Sequence, residues 1–180
     1  MKYIELYFLA FLILIASITL LIGAFSPCWI TGSFEYLTDH GCCQGPVFYT
    51  DEGYWLVLTM WFMIDSIVLF GIICWSFYRA RYEILKNGYC RKNGSWFKGI
   101  SIASAVSVLF ICAAVTVTGT HLNAVREQVN TSDETGKMGY SVWISVGSAG
   151  VAVGVSLMSA YILFTKCHDP ISTQPVFVSS

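Results

Sequence analysis

The stretch "YWLVLTMWFMIDSIVLFGIICWSFY", Tyr54 to Tyr78, carries a single charge, Asp65. A helix crosses the hydrocarbon core of a bilayer with roughly 20 apolar residues, so this segment reads as a membrane span. Helix is the expected form, because in hydrocarbon each backbone amide must find its partner within the segment. Barrel strands would be about half as long and would alternate with polar residues. Three further windows read the same way, and none contains a charge: Tyr7 to Phe25, Gly99 to Gly119 and Tyr140 to Thr165. Of 180 residues, 56% are hydrophobic and 12% charged. Ordinary soluble domains carry about 25% charged residues, so the lipid bilayer is the first partner implied. A net charge of -1 leaves no basic footprint for a nucleic acid.

The expectation is an all-α integral membrane protein: a four-helix transmembrane bundle, one domain over residues 1–180, with spans at 7–25, 54–78, 99–119 and 140–165. The first window has a competing reading as a cleaved signal peptide, with a lysine near its start and "IGA" before Phe25. Signal cores run only about 7–15 residues, so the longer window is taken as a retained helix. Charge then sorts the connections. The 79–98 loop holds Arg79, Arg81, Lys86, Arg91, Lys92 and Lys98 against Glu83. The 26–53 loop holds Glu35, Asp39, Asp51 and Glu52 and no lysine or arginine. Lysine and arginine close to a span stay cytoplasmic. Loops 26–53 and 121–139 are therefore expected outside, and both termini, with the 166–180 tail, inside the plasma membrane. A sequon at Asn130 lies in an outer loop, as in a glycoprotein; another at Asn93 lies in the basic loop and should stay bare.

The segment "SPCWITGSFEYLTDHGCCQG", residues 26–45, holds Cys28, Cys42 and Cys43. Outside the cell, disulfides persist. A bridge from Cys28 to Cys42 or Cys43 would close a loop of about 15 residues, worth around 3 kcal/mol in the chain-entropy model. Adjacent cysteines are sterically poor partners for each other, so one thiol is left to pair with a second protein or stay reduced. A zinc site from Cys28, His40, Cys42 and Cys43 has the right ligand types but no standard spacing; no metal and no cofactor is expected.

Pro27 and Trp29, a Pro-x-Trp at the outer end of the first of four spans, precede this cysteine-containing loop. The pattern resembles the superfamily of claudins, peripheral myelin protein and calcium-channel gamma subunits, and most closely its short claudin-like members. The long first loop, short second loop and inside termini fit the same plan. The resemblance implies a four-helix scaffold with a short, disulfide-stapled first extracellular loop. The loop lacks the Gly-Leu-Trp of claudins and its cysteines are adjacent, so the extracellular sheet of that family is expected here only in reduced form. The adjacent cysteines and nearby glycine are also similar to tetraspanins, but there the motif follows the third span.

Within the spans, Asp65 is expected to face the bundle, with a partner or protonated, because a carboxylate at mid-membrane costs at least about 2.5–3.5 kcal/mol. It reads either as an ion, proton or partner-subunit site, or as a neutral acid bonded to a neighbouring Ser or Thr. Gly147, Gly150 and Gly154 share one helical face, and the last two form a Gly-x-x-x-Gly pair. That face is expected to pack against Ser101, Ser104 and Ala105 inside the bundle, with a dimer face as the alternative. Cys90 and Cys167 stand near the membrane, where palmitate could attach. No C-x-x-C, H-E-x-x-H, P-loop or Gly-x-Ser-x-Gly appears, so no enzyme and no small-molecule substrate is expected. Two roles remain: a claudin-like protein of cell junctions or membrane organisation, binding itself or another membrane protein, and an auxiliary subunit of a channel or receptor.

Overall fold

The computed structural model describes residues 4–32, 42–44, 54–88, 93–128 and 137–167. Four long helices carry the fold: α1 (Ile4–Phe25), α2 (Tyr54–Asn87), α3 (Gly94–Gln128) and α4 (Tyr140–Lys166). All four are long and apolar enough to cross a membrane. Their buried positions explain why they bundle. In α1 these are Leu6, Leu9, Ile13, Ala16, Leu20 and Gly23; in α3 they are Phe97, Ile100, Ser104, Ser107, Ile111, Ala114 and Thr118. Steps of three and four alternate, the repeat that keeps a seam facing its neighbours at a shallow crossing angle. The opposite sides present Phe8, Phe11, Val68, Ile72, Leu109 and Leu157 outward, as lipid contact requires.

The helices run up and down around the bundle. α2 packs on α3, α3 on α4 and α4 on α1, while α1 and α2 touch more lightly. Some polar groups inside find partners across each close seam. Thr59 and Thr118 hydroxyls lie 3.5 Å apart between α2 and α3. Ser101 and Ser156 meet at 3.1 Å between α3 and α4, and Ser148 donates to the Ala16 carbonyl of α1 at 3.0 Å.

Two helices outrun their expected spans. α2 continues to Asn87 and α3 starts at Gly94, so the expected 79–98 loop is mostly helix. The stop is Gly88, at φ +72, a left-handed conformation that ends helices and favours glycine. Its N–H still donates to the Ile84 carbonyl at 2.8 Å. Asn93 closes the turn by donating its side-chain amide to the Gly88 carbonyl at 3.1 Å, and the residue is 1% exposed. Arg79, Arg81 and Lys86 thus ride on the end of α2; this end is called the basic end.

At the other end, three short strands form an antiparallel sheet in the order β2-β1-β3: β1 (Ile30–Gly32), β2 (Cys42–Gln44) and β3 (Lys137–Met138). β1 is central, with Ile30 opposite Gln44 on one side and Met138 on the other. The reduced sheet therefore joins both connections at this end.

α1 approaches α4 closely at Gly23. A Cβ on Gly23 would collide with the Ser145 hydroxyl and lie 3.2 Å from the Ser145 backbone nitrogen. Gly23→Ala is expected to cost about 1–3 kcal/mol as overpacking. Ser145→Ala in the same chain should return part of that loss, since it removes the nearest atom. Thermal unfolding of the two single variants and the double in detergent checks this; strictly additive effects would disprove the contact.

Candidate functional site at the sheet end

The site begins with a chemical deficit. Near the end of a helix, carbonyls lose their intrahelical donors. Ser26 still donates its N–H to Ile22 at 2.9 Å. The next carbonyl, Gly23, would look to residue 27, which is Pro27 and has no N–H. Trp29 supplies the missing donor: its indole Nε1–H reaches the Gly23 carbonyl at 2.8 Å. The ring is 2% exposed, so the bond is made where water cannot replace it. The Pro-x-Trp pattern thus becomes a cap in which the second residue repairs what the first removes.

The same turn caps α4. The Gly139 N–H donates to the Trp29 carbonyl at 2.8 Å, and the Ser141 N–H, an orphan of the first turn of α4, donates to the Cys28 carbonyl at 3.2 Å. The Ser26 hydroxyl donates to the Tyr140 hydroxyl at 3.0 Å. Cys28, Trp29 and Ile30 are all buried. Gly139 is extended, at φ -75 and ψ 170, which any residue can adopt. What it requires is closeness: a Cβ there would collide with the Cys28 carbonyl oxygen and lie 3.2 Å from the Trp29 carbonyl carbon. Between α2 and α3, Trp55 stacks on His121 with ring centroids 4.3 Å apart. The turn therefore ties the sheet end to α1 and α4, while this stack joins α2 to α3.

Cys42 and Cys43 stand opposite Gly32 and Thr31 respectively. Neither Gly139 nor β3 was visible to sequence reasoning. A two-residue strand has no periodicity, and the available signal was only a glycine just before an apolar run.

Several expected site residues lie elsewhere, and Asp65, Gly147, Gly150 and Ala105 need correction. Asp65 does not face the bundle: it is exposed on the side of α2. The buried face of α2 runs through Thr59, Met63, Ser66 and Phe70, and each residue turns the helix by about 100°, which swings position 65 off that face. Gly147 and Gly150 do not pack inside the bundle either. Both are exposed, and a Cβ on either would meet nothing within 4 Å. Gly154 is half-buried, with Leu12 3.8 Å from such a Cβ. Close packing of α4 is done instead by Ser141, Ser145, Ser148, Ala149 and Ala152, a neighbouring stripe of equally small residues. On α3, Ser101 and Ser104 do lie at buried or half-buried positions, whereas Ala105 is exposed. Cys167 is 8% exposed at the end of α4. Cys90 and Asn130 lie outside the described residues.

A family profile described as "Tight junction protein, Claudin-like" matches residues 1–173 of the chain. A search among curated proteins gives no match.

Proposed function

The chain belongs to the claudin-like tight junction proteins, multi-pass proteins of the membrane, and from this premise we propose that it acts by protein–protein contact at a cell junction or in membrane organisation, without catalysis. The observation that carries this reading is the sheet end, where β1 joins β2 and β3 into one surface fastened to α1 and α4 through Trp29 and Gly139. The basic residues collect at the opposite end, and lysine and arginine near spans stay cytoplasmic. The sheet end then faces outward from the plasma membrane, both termini lie inside, and the surface can meet the same protein on a neighbouring cell.

A bridge from Cys28 to Cys42 or Cys43 belongs to this reading. Cys28 is buried just before β1, whereas Cys74 and Cys112 carry free, exposed thiols. The β1–β2 ladder brings the two segments together, and the oxidising side of the membrane preserves the bond.

Cells expressing the chain, mixed with cells expressing a differently labelled copy, are expected to aggregate and to enrich the protein at shared borders. Cys28→Ser should reduce that enrichment, with a non-reducing peptide map locating the bridge in the parent chain. Border enrichment no greater than that of an unrelated four-span protein would rule out the junction reading. A second reading, an auxiliary subunit beside a channel or receptor, is favoured by one observation, the outward Asp65. Co-purification of a channel from cells expressing the tagged chain would support it.

A further inference from the structure

Asp65 lies 11 residues after Tyr54 in α2, about 16 Å along the helix axis. That is half of the roughly 30 Å hydrocarbon core. Around it on the exposed side stand Trp61, Ile64, Val68 and Ile72. Several polar side chains inside the bundle bond to one another or to backbone, as Thr59, Ser101 and Ser148 do, although the buried hydroxyls of Ser107, Ser141 and Ser159 do not. Among the described residues, the hydrogen bonds and ion pair include none to Asp65; the ion pair is Lys166 with Glu5. A carboxylate at that depth is costly and marks a pathway or a partner. Aspartate has one methylene, so it cannot snorkel to the interface as lysine and arginine do.

The partner must bring what the site lacks. A second copy of this chain does not bring it: the windows 7–25, 99–119 and 140–165 contain no lysine, arginine or histidine. The nearest basic residues of α2, Arg79 and Arg81, sit about 20 Å further along the helix. Two copies related by symmetry through this face would set two Asp65 carboxylates against each other.

We propose that Asp65, with Trp61, Ile64 and Val68, is a lateral docking site for a transmembrane helix of a different protein that carries a lysine or arginine at the bilayer midplane. Such a helix neutralises the acid in a medium where the ion pair is poorly screened and covers the apolar residues beside it. The inference rests on the lateral reading above for the existence of a neighbour; it adds that neighbour's chemistry.

The test uses the full chain in cell membranes with two single-span probes, a leucine-rich helix with one central lysine and the same helix without it. Energy transfer between fluorescent tags reads pairing. The lysine probe should pair with the parent chain about tenfold better than the leucine probe, the scale of an interhelical polar contact in a membrane. Asp65→Leu should reduce the lysine probe to the leucine level, and D65K should prefer a probe with a central aspartate. If D65L fails to reach the membrane, D65N takes its place with the same expected loss. Equal pairing of the two probes with the parent chain overturns the inference, as does a signal between two copies of the chain that D65L abolishes. A channel that co-purifies equally with the parent chain and D65N leaves the lateral reading standing and removes this one.

Discussion

Trp29→Ala is expected to unfold the sheet end, at a cost of about 3–5 kcal/mol, the range for deleting a buried aromatic side chain. The ring is 2% exposed and its nitrogen holds the Gly23 carbonyl. Trp29→Phe separates the two contributions. It keeps most of the apolar surface and removes the donor, leaving a buried carbonyl unpaired at about 1–3 kcal/mol. Pro27→Ala completes the cycle, because it restores an N–H at the position from which α1 would normally satisfy Gly23. The cost of Trp29→Phe should therefore be smaller in the Pro27→Ala background than in the parent. Equal costs in both backgrounds, measured by thermal unfolding in detergent, would show that proline and tryptophan are not complementary.

The second large effect is expected at Gly139. An alanine there meets backbone, not a movable side chain: the Cys28 carbonyl carbon would lie 2.7 Å from the new Cβ. Relief requires β3 to part from β1, at about 1–3 kcal/mol for the overpacking. The two hydrogen bonds from Gly139 and Ser141 to that turn would go with it, each worth about 1 kcal/mol. The internal comparison is Gly147→Ala and Gly150→Ala. Both face outward with nothing within 4 Å of a Cβ, so they should be neutral or slightly stabilising, since alanine is the better helix former. Gly139→Ala with a melting temperature equal to that of Gly147→Ala would contradict this assignment.

These contrasts show what a sequence can and cannot disclose in a membrane protein. The four spans were legible because hydrocarbon thickness imposes a length, and windows such as 99–119 meet it without a charge. Their rotation was not legible. In water, a buried face announces itself by contrast with a polar one; in lipid, Phe11 faces out and Leu9 faces in, and both are apolar. That loss of contrast is why Asp65, Gly147 and Gly150 were turned inward in expectation. Small residues do line the α4 seam, but they are serines and alanines, which the conspicuous glycines overshadowed. Pro27 and Trp29 were legible as a motif through a family resemblance, and their chemistry became visible only when the indole was seen to occupy the place of a missing amide.

The double cap also sets a clock on synthesis. The Cys28 and Trp29 carbonyls accept from Ser141 and Gly139, which leave the ribosome about 110 residues later. At about 5–20 residues per second, the first exit turn waits roughly 5–20 seconds before its partners exist. A chain interrupted anywhere before the fourth helix carries that turn unfinished, so quality-control machinery that surveys this one corner inspects, in effect, whether synthesis has reached the fourth helix.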